Sequence, residues 1–246
     1  MTIDLENITK EYNGEKVLDH VNASIEWGKC YGFVGSHCGK SALLKIFMGI
    51  EKPDEGRIFL DGEDITDMTI TDRARKGIGF AFQQPVRFKG IEVFDLIRLA
   101  TGMKISAADA CKYLSSVGLC ARDYINREVN SSLSGGELKR IEIATILAKA
   151  PKLSVFDEPE AGIDLWSFKN LIEVFEGMRR KIKTGAIIII SHQERIMEIA
   201  DDIIVIKDGK VDAQGPREEI LPKLKGTVNA VKECRQSGMS KGEDEC

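Results

Sequence analysis

LSGGELKRIEIATILAKAPKLSVFDE, residues 133–158, sets two patterns back to back. In the first, Ser134, Gly135 and Gly136 stand directly before a helical pattern with Leu138, Ile141, Ala144 and Ala148 on one apolar stripe. A helix start presents bare N–H groups and the positive end of the dipole, which suits a phosphate. An ordinary serine cap followed by flexible glycines would read the same way. In the second pattern, the apolar run Leu153-Ser154-Val155-Phe156 ends in Asp157 and Glu158. A strand tip can hold Asp157 toward Mg²⁺ while Glu158 orients or deprotonates an attacking water. Two solvated acids after a strand have the same appearance.

Working back toward the N-terminus, Tyr31-Gly32-Phe33-Val34 predicts a short buried strand, and Ser41 to Gly49 an apolar helix. Between them lies Gly35-Ser36-His37-Cys38-Gly39-Lys40-Ser41-Ala42. A phosphate loop works because consecutive N–H groups curl around a triphosphate, with a lysine at the β/γ-phosphates and a hydroxyl on Mg²⁺. Lys40 and Ser41 fit those two roles. The spacing falls one short of the usual four, since only Ser36, His37 and Cys38 separate Gly35 from Gly39. A glycine turn with an incidental Gly-Lys-Ser is the competing reading. Toward the C-terminus, Ile190-Ser191-His192 ends another apolar run. A histidine there can contact a γ-phosphate, although a lone histidine is as easily a satisfied core residue.

The remaining pattern predicts an α/β architecture. Ile3 to Ile25 alternates around Asn13-Gly14, which predicts a hairpin. Arg57–Leu60 and Ile78–Phe82 look like further strands. Ala186–Ile190 and Ile203–Ile206 are β-branched runs of the kind buried on both faces of a parallel sheet. Ser106 to Asp109 forms a capping box for a helix to about Val117, and helical pattern dominates the stretch 85–150. Residues 226–246 are polar and read as a mobile tail. With 246 residues, 43% of them hydrophobic and 30% charged, the chain can bury a large core. Its net charge of -4 gives no sign of nucleic-acid binding, and no apolar run is long enough to insert in a membrane. The start Met1-Thr2-Ile3-Asp4 lacks signal-peptide features, so a cytoplasmic location is expected. The six cysteines, Cys30, Cys38, Cys111, Cys120, Cys234 and Cys246, show no C-x-x-C pair and read as free thiols.

The order decides between the readings. A Gly-Lys-Ser loop, Gln83, Leu-Ser-Gly-Gly-Glu, a strand ending Asp-Glu about twenty residues on, Asp164 and a strand ending Ser-His follow one another. Over residues 1–225 the chain resembles the ATP-binding-cassette (ABC) ATPases. The resemblance implies a P-loop NTPase (RecA-like) core with an antiparallel β subdomain and an inserted helical subdomain, about 85–150. It also implies ATP and Mg²⁺ as cofactors and a head-to-tail homodimer closing on ATP. On that basis Tyr12 stacks on adenine, and Gly35, Ser36, His37, Cys38, Gly39, Lys40, Ser41 and Ala42 cradle phosphate. Ser41, Gln83 and Asp157 serve Mg²⁺. Glu158 is the catalytic base, with Gln83 and His192 beside it. Ser134, Gly135, Gly136 and Asp164 act across the dimer.

Within that family, Glu137-Leu138-Lys139-Arg140-Ile141-Glu142-Ile143 is similar to the SUF-type iron–sulfur assembly ATPase. So are Arg73 to Val86 and Glu160-Ala161-Gly162-Ile163-Asp164, while Asp157-Glu158-Pro159-Glu160 and Phe88-Lys89-Gly90-Ile91 are most similar to its minimal two-component form, in which the ATPase pairs with one scaffold protein. This resemblance implies a soluble SufB-like scaffold as partner. The other readings are the ATP-binding subunit of a transporter, docked on a membrane subunit, and a non-hydrolysing scaffold with a shortened phosphate loop.

Overall fold

The computed structural model describes residues 1–35 and 37–224. Ser36 and the expected tail 226–246, with Cys234 and Cys246, lie outside the described residues.

Two sheets organise the molecule. The smaller is antiparallel, in the order β2 (Glu15–Glu26), β1 (Thr2–Tyr12), β4 (Glu55–Leu60) and β5 (Glu63–Asp64). Asn13 and Gly14 both take positive φ, which is what a tight two-residue turn between β1 and β2 requires. The larger sheet runs β10 (Lys210–Pro216), β9 (Asp202–Lys207), β3 (Cys30–Gly35), β8 (Ala186–Ile190), β7 (Leu153–Asp157), β6 (Ile78–Ala81). From β9 to β6 its neighbours are parallel, and β10 closes one edge antiparallel to β9.

Alternate side chains of the large sheet feed two different cores, as period 2 requires. Ile188 and Ile190 of β8, Tyr31 and Phe33 of β3, and Ile204 and Ile206 of β9 face the first. That core is shared with the small sheet and with Leu43, Ile46 and Phe47 of α1 (His37–Met48). Ile187, Ile189, Ile203 and Phe156 face the second, filled by helices. These are α3 (Val93–Thr101), α4 (Ala107–Ser116), α6 (Gly135–Lys149), α7 (Leu165–Lys181) and α8 (Glu194–Met197). Short α2 (Ile70–Arg75) and α5 (Ala121–Tyr124) complete the named helices, and a helical segment over 217–224 packs Ile220 on the second core. Among the described residues, no helix is long and apolar enough to cross a membrane.

Two expectations change. The helix placed at Ser41 begins at His37, so a single residue separates it from β3. On α6 the buried set exceeds the expected stripe: Lys139, Ile143 and Ile146 are buried along with Leu138, Ile141, Ala144 and Ala148. The helix is wedged between its neighbours rather than laid on one, and a lysine is inside.

Candidate nucleotide site

The carboxyl ends of parallel strands gather the chemistry, as open α/β sheets do. Register alone aligns three of the segments: Asp157 at the end of β7 lies opposite Ile190 of β8, and Phe33 of β3 pairs with Ile190 from the other side. The residues after each strand therefore converge. Lys40, in the first turns of α1, is buried, with its Nζ 2.8 Å from His192 Nε2. An ammonium can only donate, so in this contact Nε2 is the acceptor. His192 Nε2 also lies 3.9 Å from Glu158 Oε1, and Gln83 Nε2 donates to Glu158 Oε2 at 2.7 Å. Burial pulls the Lys40 ammonium below the usual lysine range, while the carboxylates of Glu158, Asp157 and Glu160 oppose that shift. Glu158 itself sits at φ 42°, a left-handed conformation rare for a residue with a side chain, with its N–H bonded to the Ile190 carbonyl at 2.9 Å.

This set suits a magnesium nucleotide. A hydroxyl (Ser41), an amide (Gln83) and a carboxylate (Asp157) are the hard oxygen donors Mg²⁺ takes, and Lys40 adds a buried ammonium that could pair with a phosphate. The start of α1 has no acidic residue in its first turn, so its N–H groups meet an anion unopposed.

Gly35 has a different reason to be glycine. A Cβ there would fall 1.8 Å from the Ile206 carbonyl oxygen, at φ 143°. It permits β3 and β9 to approach, so its requirement comes from the sheet. Ala42 is buried in the core shared by the two sheets, turned away from the strand tips. His37, Gly39, Lys40 and Ser41 all lie in the first turns of α1. Tyr12 has contacts of its own: its hydroxyl donates to Glu51, Lys10 lies 5.7 Å from its ring centroid, and burial with Glu51 pushes its phenol up to about 12.

A second cluster lies where α6 and α7 begin. Ser134 caps α6 in a full capping box: its Oγ accepts from Glu137 N at 3.3 Å, and Glu137 Oε2 accepts from Ser134 N at 2.7 Å. Gly136 packs so closely on the Gly162 carbonyl that a Cβ would sit 2.7 Å from it. Asp164 caps α7, accepting from Trp166 N and Ser167 N at 3.0 Å each, and these bonds lower its carboxyl pKa. Ser134 and Gly135 are exposed.

Sequence reasoning missed the link between the halves of the molecule. Lys139, fully buried, donates from Nζ to the carbonyls of Phe82, Gln83 (3.3 Å) and Asp157 (3.2 Å). Glu142, one turn on, accepts from Phe82 N at 3.0 Å and lies 3.8 Å from Lys139 Nζ. The pair ties α6 to the segments carrying Gln83 and Asp157. Burial pushes the Glu142 carboxyl up to about 7 and the Lys139 ammonium down. The only signal in sequence was the Lys-x-x-Glu spacing, which reads equally as a surface i,i+3 pair.

The chain is similar to known proteins. Residues 18–161 match the ABC transporter family. An uncharacterized ABC transporter ATP-binding protein of Methanocaldococcus jannaschii is 36% identical over 229 residues, 89% of this chain and 91% of that protein. The sulfate/thiosulfate import ATP-binding protein CysA of Pseudomonas aeruginosa is 32% identical over 227 residues, 89% of this chain and 68% of that one. A bacterial ABC transporter cassette solved as a dimer superposes with a TM-score of 0.77 at 25% identity, over 87% of this chain and 98% of the other. With the family match extending over more than half its length and the strand-tip cluster in place, the chain belongs to the ABC transporter family of ATP-binding cassettes, whose cofactors are ATP and Mg²⁺.

Proposed function

We propose that this chain is the ATP-hydrolysing subunit of a transporter, working as a head-to-tail pair and passing the closure to a membrane subunit. The observation that carries the hydrolysis reading is the joined cluster of Lys40, His192, Glu158 and Gln83 at the strand tips. Lys40 binds the γ-phosphate, with N–H groups from the start of α1 around the other phosphates. Ser41, Gln83 and Asp157 hold Mg²⁺, which neutralises phosphate charge. Glu158 takes the proton of the attacking water, and His192 holds the γ-phosphate in line. Ser134, Gly135, Gly136 and Asp164 of one chain close on the nucleotide of the other. Residues 1–225 form the cassette.

The transporter branch is supported by the relatives, which are named as transporter ATP-binding proteins. An apolar groove lined by Phe80, Phe82, Val86, Phe88, Leu96 and Val129 beside Gln83 offers a seat for a partner helix. One observation favours the SUF-type reading with a SufB-like scaffold: Lys139 and Glu142 of its Gly-Gly-Glu-x-Lys-Arg-x-Glu-Ile pattern form a buried cluster here.

Mg-ATP calorimetry on the wild type and Lys40→Ala, with phosphate release by wild type and Glu158→Gln, tests the ATPase. Binding lost with Lys40 and turnover lost with Glu158 are the expected results. A wild type that neither binds nor hydrolyses, with its partner present, sinks the reading. Co-purification with an integral membrane protein supports the transporter assignment, and with a soluble scaffold the SUF-type one.

A further inference from the structure

Glu160 lies three residues beyond Asp157, in the turn that follows β7, and no role in the mechanism above uses it. Its Oε1 accepts a hydrogen bond from the Ser191 hydroxyl. Ser191 is fully buried at the end of β8, and its Oγ in turn accepts from Gln193 N at 2.9 Å. His192 is thus bracketed: the residues on both sides of it are fastened to one hydroxyl, and that hydroxyl is fastened to Glu160. A second rung, Glu158 N to the Ile190 carbonyl at 2.9 Å, joins the same two loops one step earlier. Together the rungs set how the Glu158 loop faces the His192 loop.

The arrangement is costly, which argues against an incidental contact. Glu160 Oε2 is buried with no hydrogen-bond partner, and burial pushes the carboxyl pKa up, opposed first by the Ser191 hydroxyl. A small apolar residue at this position would carry no such penalty, but it would leave the Ser191 hydroxyl without this acceptor.

We propose that Glu160, acting through the Ser191 hydroxyl, is a positioning residue that sets His192 against Lys40 and Glu158. The inference rests on the hydrolysis reading above for its consequence in turnover. Its structural half concerns His192 alone.

The test compares Glu160→Ala, Ser191→Ala and Glu160→Gln with the wild type. One readout is kcat and KM for ATP. The other is the imidazole resonances of nucleotide-free protein, with the His192 signal among the three histidines assigned through His192→Asn. Glu160→Ala and Ser191→Ala are expected to shift the His192 resonances and to lower kcat by about 10- to 100-fold. KM stays within about twofold, because the loss falls on the reacting geometry rather than on binding. Glu160→Gln keeps an acceptor for the Ser191 hydroxyl and recovers both signals. Unshifted His192 resonances in Glu160→Ala overturn the proposal, as does a loss of turnover in all three variants that follows only a lowered Tm. A wild type without ATPase activity overturns the hydrolysis reading instead, and the imidazole spectra then decide the placing of His192 by themselves.

Discussion

Arg73 shows how much one side chain can carry here. Its guanidinium is buried and donates to four carbonyls: Ile46 (2.6 Å) and Phe47 (2.8 Å) at the end of α1, and Ile65 (2.7 Å) and Thr66 (2.8 Å) before α2. The negative end of the α1 dipole helps offset the buried charge. Arg73→Met should cost about 3 kcal/mol or more, since three buried acceptors and one part-buried one lose a charged donor. Arg73→Lys should recover little, because an ammonium cannot reproduce the planar fork. Urea unfolding measures both. Gly35→Ala should cost about 2 kcal/mol or more in the same assay, from positive φ and the clash with the Ile206 carbonyl. In the sequence Gly35 reads as a phosphate-loop glycine, and the close approach to Ile206 is invisible there, because a glycine shows that something demands small size without showing what.

At the scale of elements, α6 is the connector. Its N-terminus presents Ser134 and Gly135, and its first turns send Lys139 and Glu142 to the Gln83 and Asp157 segments. Lys139→Met should speed hydrogen exchange at the Phe82 amide by at least about tenfold, because the segment loses its anchor. Glu142 adds a pH dependence. The unfolded chain ionises it near 4.5, while the folded chain holds the proton to about 7. The unfolded state thus binds fewer protons between those values, so stability falls as pH rises through this window. Glu142→Gln should flatten that part of the curve, read from Tm against pH. Ser134 and the helix after it were legible as a capping signal. Lys139 was not, because a lysine on a helix reads as solvated until neighbours on both sides are known.

For the whole molecule, the proposed head-to-tail pairing gives the two clusters a common use. The Lys40 cluster sits at the strand tips, and the Ser134 cluster sits where α6 and α7 begin, packed on Gly162. Specific ATPase activity should therefore rise with protein concentration. Glu158→Gln with Mg-ATP should accumulate a species of twice the monomer mass by light scattering. A concentration-independent rate and a monomeric Glu158→Gln would count against the pairing.

The sequence by itself determined the strands and the family. Ala186–Ile190 is a β-branched run buried throughout, Asp157 and Glu158 follow a strand, and the Asn13-Gly14 turn closes a hairpin. Such patterns are local, and period and turn chemistry act over a few residues. Only the tertiary structure decided that Lys40 meets His192 across 152 positions and Gln83 meets Glu158 across 75. It also decided that α1 starts at His37 and that Lys139 is inside. The physical reason is that sheet order and helix placement, set by burying two faces of one sheet at once, choose which distant segments share a strand tip.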